Sequence, residues 1–169
     1  MKTSRIYQDM DSPVGQLRLI ASGDELVGIW FQHGRDARRH ADSESLQPGT
    51  SPVIERTRRQ LEEYFRGERR QFDLPLAPEG TEFQQRVWQR LLGIGYGTTT
   101  TYGALAYALG NPNASRAVGL ANGSNPIPIV IPCHRVIGAN GALTGFGGGL
   151  PIKSALLELE RGAKQQALL

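Results

Sequence analysis

Pro126-Ile127-Pro128-Ile129-Val130-Ile131-Pro132-Cys133-His134-Arg135-Val136 holds the single cysteine of the chain, followed at once by a histidine and an arginine. Proline fixes φ and lacks an N–H, so three prolines in an apolar run exclude a long helix or a central strand. The spacing predicts a rigid, mostly extended segment that carries the thiol to a fixed place. A lone cysteine forms no internal disulfide and is far short of a zinc site. Two readings stay open from these residues. Free cysteines are commonly small buried hydrophobes. Cationic neighbours, in contrast, favour a thiolate and a nucleophile.

Working outward, 169 residues suit one large domain or two small ones. The 39% hydrophobic content is a little low but sufficient for a core, and the net charge of +3 is mildly basic. Such a charge is compatible with nucleic acid but does not indicate it without a localised patch. One cysteine argues against a disulfide-stapled secreted protein. The N-terminal residues lack an apolar signal core, and no apolar run is long enough to span a bilayer. The reading is a soluble protein of the cytoplasm with no membrane partner.

In the first half, Leu17, Leu19 and Ala21 alternate with Gln16, Arg18 and Ile20. Ser22-Gly23-Asp24-Glu25 then signals a turn, and Leu26–Phe31 is a second β-prone run, which together predict a hairpin. Residues 33–50 read as a polar surface loop, with His33 and His40 as solvated loop histidines. Ser51-Pro52 is a helix start. Val53, Thr57, Leu61, Tyr64 and Phe65 follow at helical spacing up to Gly67. The arginines of this helix are interleaved with glutamates, which describes a solvated face rather than a nucleic-acid stripe. Phe72, Leu74 and Leu76 alternate as a short strand. Pro75, Pro78 and Gly80 mark a linker, which divides the chain into domains 1–77 and 78–169.

In the second half, Thr81-Glu82-Phe83-Gln84 is a capping box before a helix with Phe83, Val87, Trp88, Leu91 and Leu92 on one face. Thr101 caps a second helix, Gly110-Asn111-Pro112-Asn113 turns the chain, and Ala114–Asn122 forms a third, giving a helix-turn-helix. Ala114, Ala117, Gly119 and Ala121 make the third helix slim, with Arg116 near its start. Tight helix packing explains small residues. So does entry into the DNA minor groove, about 6 Å wide and half the width of the major groove. Thr144-Gly145-Phe146-Gly147-Gly148-Gly149 lacks the spacing and lysine of a nucleotide-binding loop. It is either a flexible connector or backbone brought close to a flat ligand. Pro151 opens a last helix with Ile152, Ala155, Leu156 and Leu159 inward. The segment from Gly162 reads as frayed.

Pro132-Cys133-His134-Arg135-Val136 resembles the active-site signature of the O6-alkylguanine-DNA alkyltransferases. Phe83–Trp88, Thr101-Tyr102-Gly103, Arg116–Gly119, Asn122–Pro126, Gly145–Gly148 and Leu156–Glu160 resemble further blocks of that family, in family order. Coverage is strong over residues 81–161 and loose before them. The resemblance implies an α+β protein: a small N-terminal α/β domain of ribonuclease H type and a mostly helical C-terminal domain. It implies single-turnover transfer of an alkyl group from guanine O6, and from thymine O4, to Cys133. His134 would relay the thiol proton through a water, with Glu160 orienting that histidine; a carboxylate there also favours the cationic histidine. Tyr102 would serve the leaving guanine N3, and Asn125 would pin the active-site turn. The carbonyls of Cys133 and Val136 would accept from the base, and the Gly147 N–H would meet O6.

Pro128, Phe146, Gly147, Gly148 and Lys153 complete the substrate-binding set that the resemblance implies. The partner would be alkylated double-stranded DNA, with self-association on DNA left open. Arg116 would replace the flipped base, and Ala114, Ser115, Ala117, Gly119, Ala121 and Asn122 would face the minor groove. Some family members hold zinc through N-terminal cysteines. This chain has none there, so no metal and no cofactor are expected. Gly95 stands where many relatives have proline. Two other readings compete: a non-catalytic DNA-binding relative, against which Cys133 stands, and a turnover hydrolase or redox protein, which the absence of a second cysteine weakens. The glycine-rich wall predicts that groups as large as benzyl are accepted.

Overall fold

The structure is a computed structural model that describes residues 4–32 and 46–166. The stretch holding His33 and His40 lies outside them. The predicted hairpin forms: β2 (Leu17–Ser22) and β3 (Glu25–Phe31) pair antiparallel. Two strands that the sequence did not reveal extend it. β1 (Arg5–Met10) pairs antiparallel with β2, and β4 (Leu46–Pro48), inside the predicted loop, lies parallel to β1. The sheet order is β3-β2-β1-β4. β1 is only half-buried over most of its length. It therefore carries no clean period-two pattern.

Helix α1 (Pro52–Phe65) packs Val53, Ile54, Leu61 and Tyr64 against this sheet. Its start is as predicted, with Ser51 Oγ accepting from the Ile54 N–H. The chain after α1 forms no strand, contrary to expectation. Leu76 makes only an isolated bridge to Leu26, where the Leu26 N–H donates to the Pro75 carbonyl and the Ala77 N–H to the Leu26 carbonyl. Gln60 holds this segment by bonding both backbone groups of Asp73, at 3.0 and 2.9 Å. The side-chain clamp satisfies peptide groups that a second strand would otherwise have to pair.

Helix α2 (Glu82–Leu91) begins with the predicted capping box between Thr81 and Gln84. Trp88 is buried, and its indole N–H donates to the Ala121 carbonyl at 2.8 Å. α3 (Tyr102–Ala108) and α4 (Ser115–Gly123) form the predicted helix-turn-helix and pack on each other, and α4 packs on α2. β5 (Thr100–Thr101) and β6 (Val136–Ile137) make a two-stranded parallel sheet that links this unit to the cysteine segment. α5 (Leu150–Gln166) continues four residues past the expected fraying point. Its buried residues are Lys153, Leu156 and Glu160, whereas Ala155 is exposed. A periodicity built on apolar residues alone misplaces a face whose inner groups are ionised. Among the described residues no helix is long and apolar enough to cross a membrane.

The linker fits the C-terminal unit closely at Gly80. A Cβ there would collide with the Trp88 ring and stand 2.7 Å from Gln84 Oε1. Trp88 is enclosed and cannot yield, so Gly80→Ala should cost about 1–3 kcal/mol through overpacking. Gly103→Ala in α3 meets only Ser115 Oγ, at 3.8 Å, and should be neutral or stabilising. Thermal melts of the two variants should diverge in sign. Equal melting temperatures would contradict this packing.

Candidate active site

The cysteine segment is a compact series of turns, not the extended rod expected. The Val130, Ile131 and Cys133 N–H groups bond the carbonyls of Pro128, Ile127 and Ile131, and residues 127–136 are buried. Ile129 has φ +73°, a conformation that a β-branched side chain rarely adopts. Asn125 holds the bend from inside: its Nδ2 donates to the Ile131 carbonyl at 2.8 Å, and its Oδ1 accepts from the Ile127 N–H at 3.0 Å. A single 3-10 turn, Cys133–Arg135, leads into β6. Pairing of Thr100 with Val136 sets Tyr102, the first residue of α3, beside this turn.

Glu160 is buried beneath the turn and accepts five hydrogen bonds. His134 Nε2 lies 2.6 Å from Oε2. Arg135 donates through Nε at 2.8 Å and Nη2 at 3.1 Å. The Tyr64 hydroxyl donates at 2.6 Å and the Gly97 N–H at 3.1 Å. Arg135 also donates to the Ile94 carbonyl at 2.6 Å. Burial pushes the Glu160 carboxyl up, but the bonds from His134 and Arg135 outweigh it and hold the pKa at about 2. For His134 the balance is opposite. Complete burial lowers its pKa, and the Glu160 bond only partly offsets this. The resting imidazole is therefore neutral, although Glu160 favours its cationic form. It donates from Nε2 to Glu160, while Nδ1 makes no hydrogen bond to the protein.

Cys133 is 4% exposed and opens into a small cleft with Phe31, Asn125, Pro128, Phe146 and Gly147. The Tyr102 hydroxyl donates to the carbonyl of Thr144, the neighbour of Gly145 in the cleft lining, at 3.1 Å. Lys153 is fully buried and donates to the carbonyls of Val136 at 2.6 Å and Thr144 at 2.7 Å. It thus clamps the glycine-rich loop instead of facing a substrate. Burial lowers its pKa, and a charged Cys133 opposes that, so the ammonium and a thiolate favour each other. Gly148 is also re-assigned: a Cβ there would stand 2.9 Å from the Phe31 ring, so Gly148 serves packing.

On α4, Arg116 and Ala117 are exposed, and Ala114, Ser115 and Gly119 are half-buried. Ala121 and Asn122 turn inward, contrary to the expected groove-facing role. The helix phase places them toward α2 and the cysteine turn. Ala121 accepts from Trp88, and Asn122 Nδ2 donates to the Cys133 carbonyl at 3.2 Å.

Residues 82–162 match the family described as 6-O-methylguanine DNA methyltransferase, DNA binding domain, and residues 6–78 match its ribonuclease-like domain. The chain belongs to the 6-O-methylguanine DNA methyltransferase family. It is 50% identical over 154 residues to a methylated-DNA–protein-cysteine methyltransferase of Methanosarcina acetivorans, covering 91% of this chain and 97% of that one. A Haemophilus influenzae protein of the same name is 46% identical over 163 residues, covering 94% and 88%. The crystal structure of Mycobacterium tuberculosis OGT in complex with DNA superposes with a TM-score of 0.86 at 46% identity, covering 94% of each chain.

Within this methyltransferase framework, three residues around the site were not foreseen. Tyr64 read as one more apolar position of α1. Gly97 supplies only its N–H, which leaves no side-chain signal. Phe31 read as the end of a strand.

Both ionisable partners make the protein acid-sensitive. Glu160 has a folded pKa below its ordinary value of 4.5. Its stabilising contribution is complete above that value and is lost as pH falls toward about 2. His134 acts in the same direction below 6.5, since the unfolded chain takes up that proton first. Tyr64→Phe deletes one donor to Glu160 and should cost about 1–3 kcal/mol at pH 7. It should also narrow the stability difference between pH 7 and pH 3, because Glu160 is then less depressed. Urea midpoints at both pH values check this, and an undiminished difference would remove Tyr64 from the network.

Proposed function

We propose that the protein repairs double-stranded DNA by moving an alkyl group from guanine O6, and from thymine O4, onto Cys133, once per molecule. The observation that carries this is that the chain's single thiol shares one buried turn with a neutral, buried His134. One nitrogen of that histidine is fixed by Glu160, and the other is left without a protein partner. This is the nucleophile, base and orienting group of an activated nucleophile. The relative solved with DNA supports the partner.

In the proposed step the thiol proton passes through a water to His134 Nδ1. The Glu160 carboxylate stabilises the imidazolium as it forms. The sulfur–carbon bond forms as the carbon–O6 bond breaks, and the electron pair leaves with the guanine. The departing guanine anion is stabilised by a hydrogen bond from Tyr102, whose hydroxyl exchanges its Thr144 bond for N3, and it takes up its proton from water. The carbonyls of Cys133 and Val136 accept from the exocyclic amine, beside the bonds that they already take from Asn122 and Lys153. The Gly147 N–H faces O6. The product thioether is inert to water, so the protein does not turn over.

The base must leave the stack to reach a cleft this enclosed. Exposed Arg116 fills its place while Ala114, Ser115, Ala117 and Gly119 present the slim face of α4 to the minor groove. Residues 1–77 and 78–169 act as two domains. A reduced thiol as nucleophile fits the cytoplasm.

Incubation with duplex DNA containing O6-methylguanine should add one methyl group to the intact protein, mapped to Cys133, and Cys133→Ala should bind DNA without gaining mass. Methylation elsewhere, or repeated turnover, contradicts the proposal. Arg116→Ala should slow repair of duplex DNA about tenfold or more, since flipping costs a few kcal/mol. The same variant should react normally with free O6-alkylguanine base. Equal loss on both substrates would exclude a flipping role.

A further inference from the structure

We propose that Phe31, a residue of the N-terminal sheet, is the wall that limits how large an alkyl group can reach Cys133. The inference rests on the alkyl-transfer reading above and concerns the specificity of the same cleft. Phe31 ends β3 and is 2% exposed, and it lines the cleft with Cys133, Pro128, Phe146 and Gly147. Its ring is held on three sides. Leu17 lies opposite it on β2. The Phe146 ring packs at 5.4 Å between centroids and 59°. The Gly148 backbone lies so near that a Cβ would stand 2.9 Å from two ring carbons.

β3 is itself fixed to the active-site segment, because the Ile29 N–H donates to the Pro126 carbonyl at 3.0 Å. The ring is therefore backed by packed neighbours on an anchored strand. Interiors packed in this way resist added bulk. The glycines that suggested an open wall are backed by two aromatic rings. A methyl group fits such a cleft. A benzyl group requires Phe31 and Phe146 to separate.

The test measures second-order rates of wild type, Phe31→Leu and Phe31→Met on oligonucleotides carrying O6-methylguanine or O6-benzylguanine. The ratio of benzyl to methyl rates should be low in wild type and rise about tenfold or more in both variants, the scale on which hydrophobic pockets discriminate bulk. Leu26→Ala, which loosens the same sheet at the far end of β3 without lining the cleft or touching the support of the Phe31 ring, should leave the ratio unchanged. Loss of stability alone would lower both rates together and would not move the ratio. A ratio that stays within twofold of wild type in the Phe31 variants overturns the inference and leaves alkyl transfer standing. So does a wild type that accepts benzyl as readily as methyl. No transfer from either base by wild type overturns both.

Discussion

A single buried carboxylate organises this protein. Removing an ionised group from water is expensive unless every lone pair is met, and Glu160 achieves this with four donor residues from three parts of the chain. Tyr64 comes from the first helix, Gly97 from the loop before β5, and His134 and Arg135 from the cysteine turn. Losing any one donor leaves part of a buried charge unpaired. The positions of α1, α5 and the active-site turn are therefore mutually dependent. The same interaction that fixes the fold also fixes the tautomer of His134, so scaffold and chemistry share one anchor.

The cysteine turn shows how local strain and tertiary support are balanced. Left-handed backbone at Ile129 is unfavourable for a branched side chain, at a cost of about 1–3 kcal/mol. It persists because Asn125 satisfies two peptide groups inside the bend and the apolar residues around it are enclosed. The strain sits four residues from the nucleophile. It lets the chain reverse within the segment and present the thiol at the floor of the cleft, where an extended segment would carry it past.

Much of the C-terminal half was legible because its signals are local. Thr81, Thr101 and the Gly110–Asn113 turn each name their structure through capping or backbone preference, and all three form as read. The cysteine motif and its neighbours named the family. What escaped was non-local. β1 and β4 gain their order from pairing partners rather than from periodicity. Tyr64 and Phe31 belong to the site through contacts that cross between the two halves of the chain. The inward face of α5 is built from Lys153 and Glu160, which a hydrophobicity pattern assigns to solvent. Ala121 and Asn122 were expected to face the groove, whereas helix phase, fixed by packing on α2 and α3, decides which way they point.

The edge of the N-terminal sheet is closed by the protein's own later sequence. Leu26 bonds to Pro75 and Ala77, and Ile29 bonds to Pro126. An uncovered edge strand is a template for pairing with other chains, and here the cover at Ile29 lies almost a hundred residues downstream. At ~5–20 residues per second of synthesis, the nascent hairpin waits for ~5–20 s with that edge open. The completed protein is protected from strand addition along β3, while the half-made one is not. Its exposure to aggregation is thus concentrated on the ribosome, before the catalytic half has emerged.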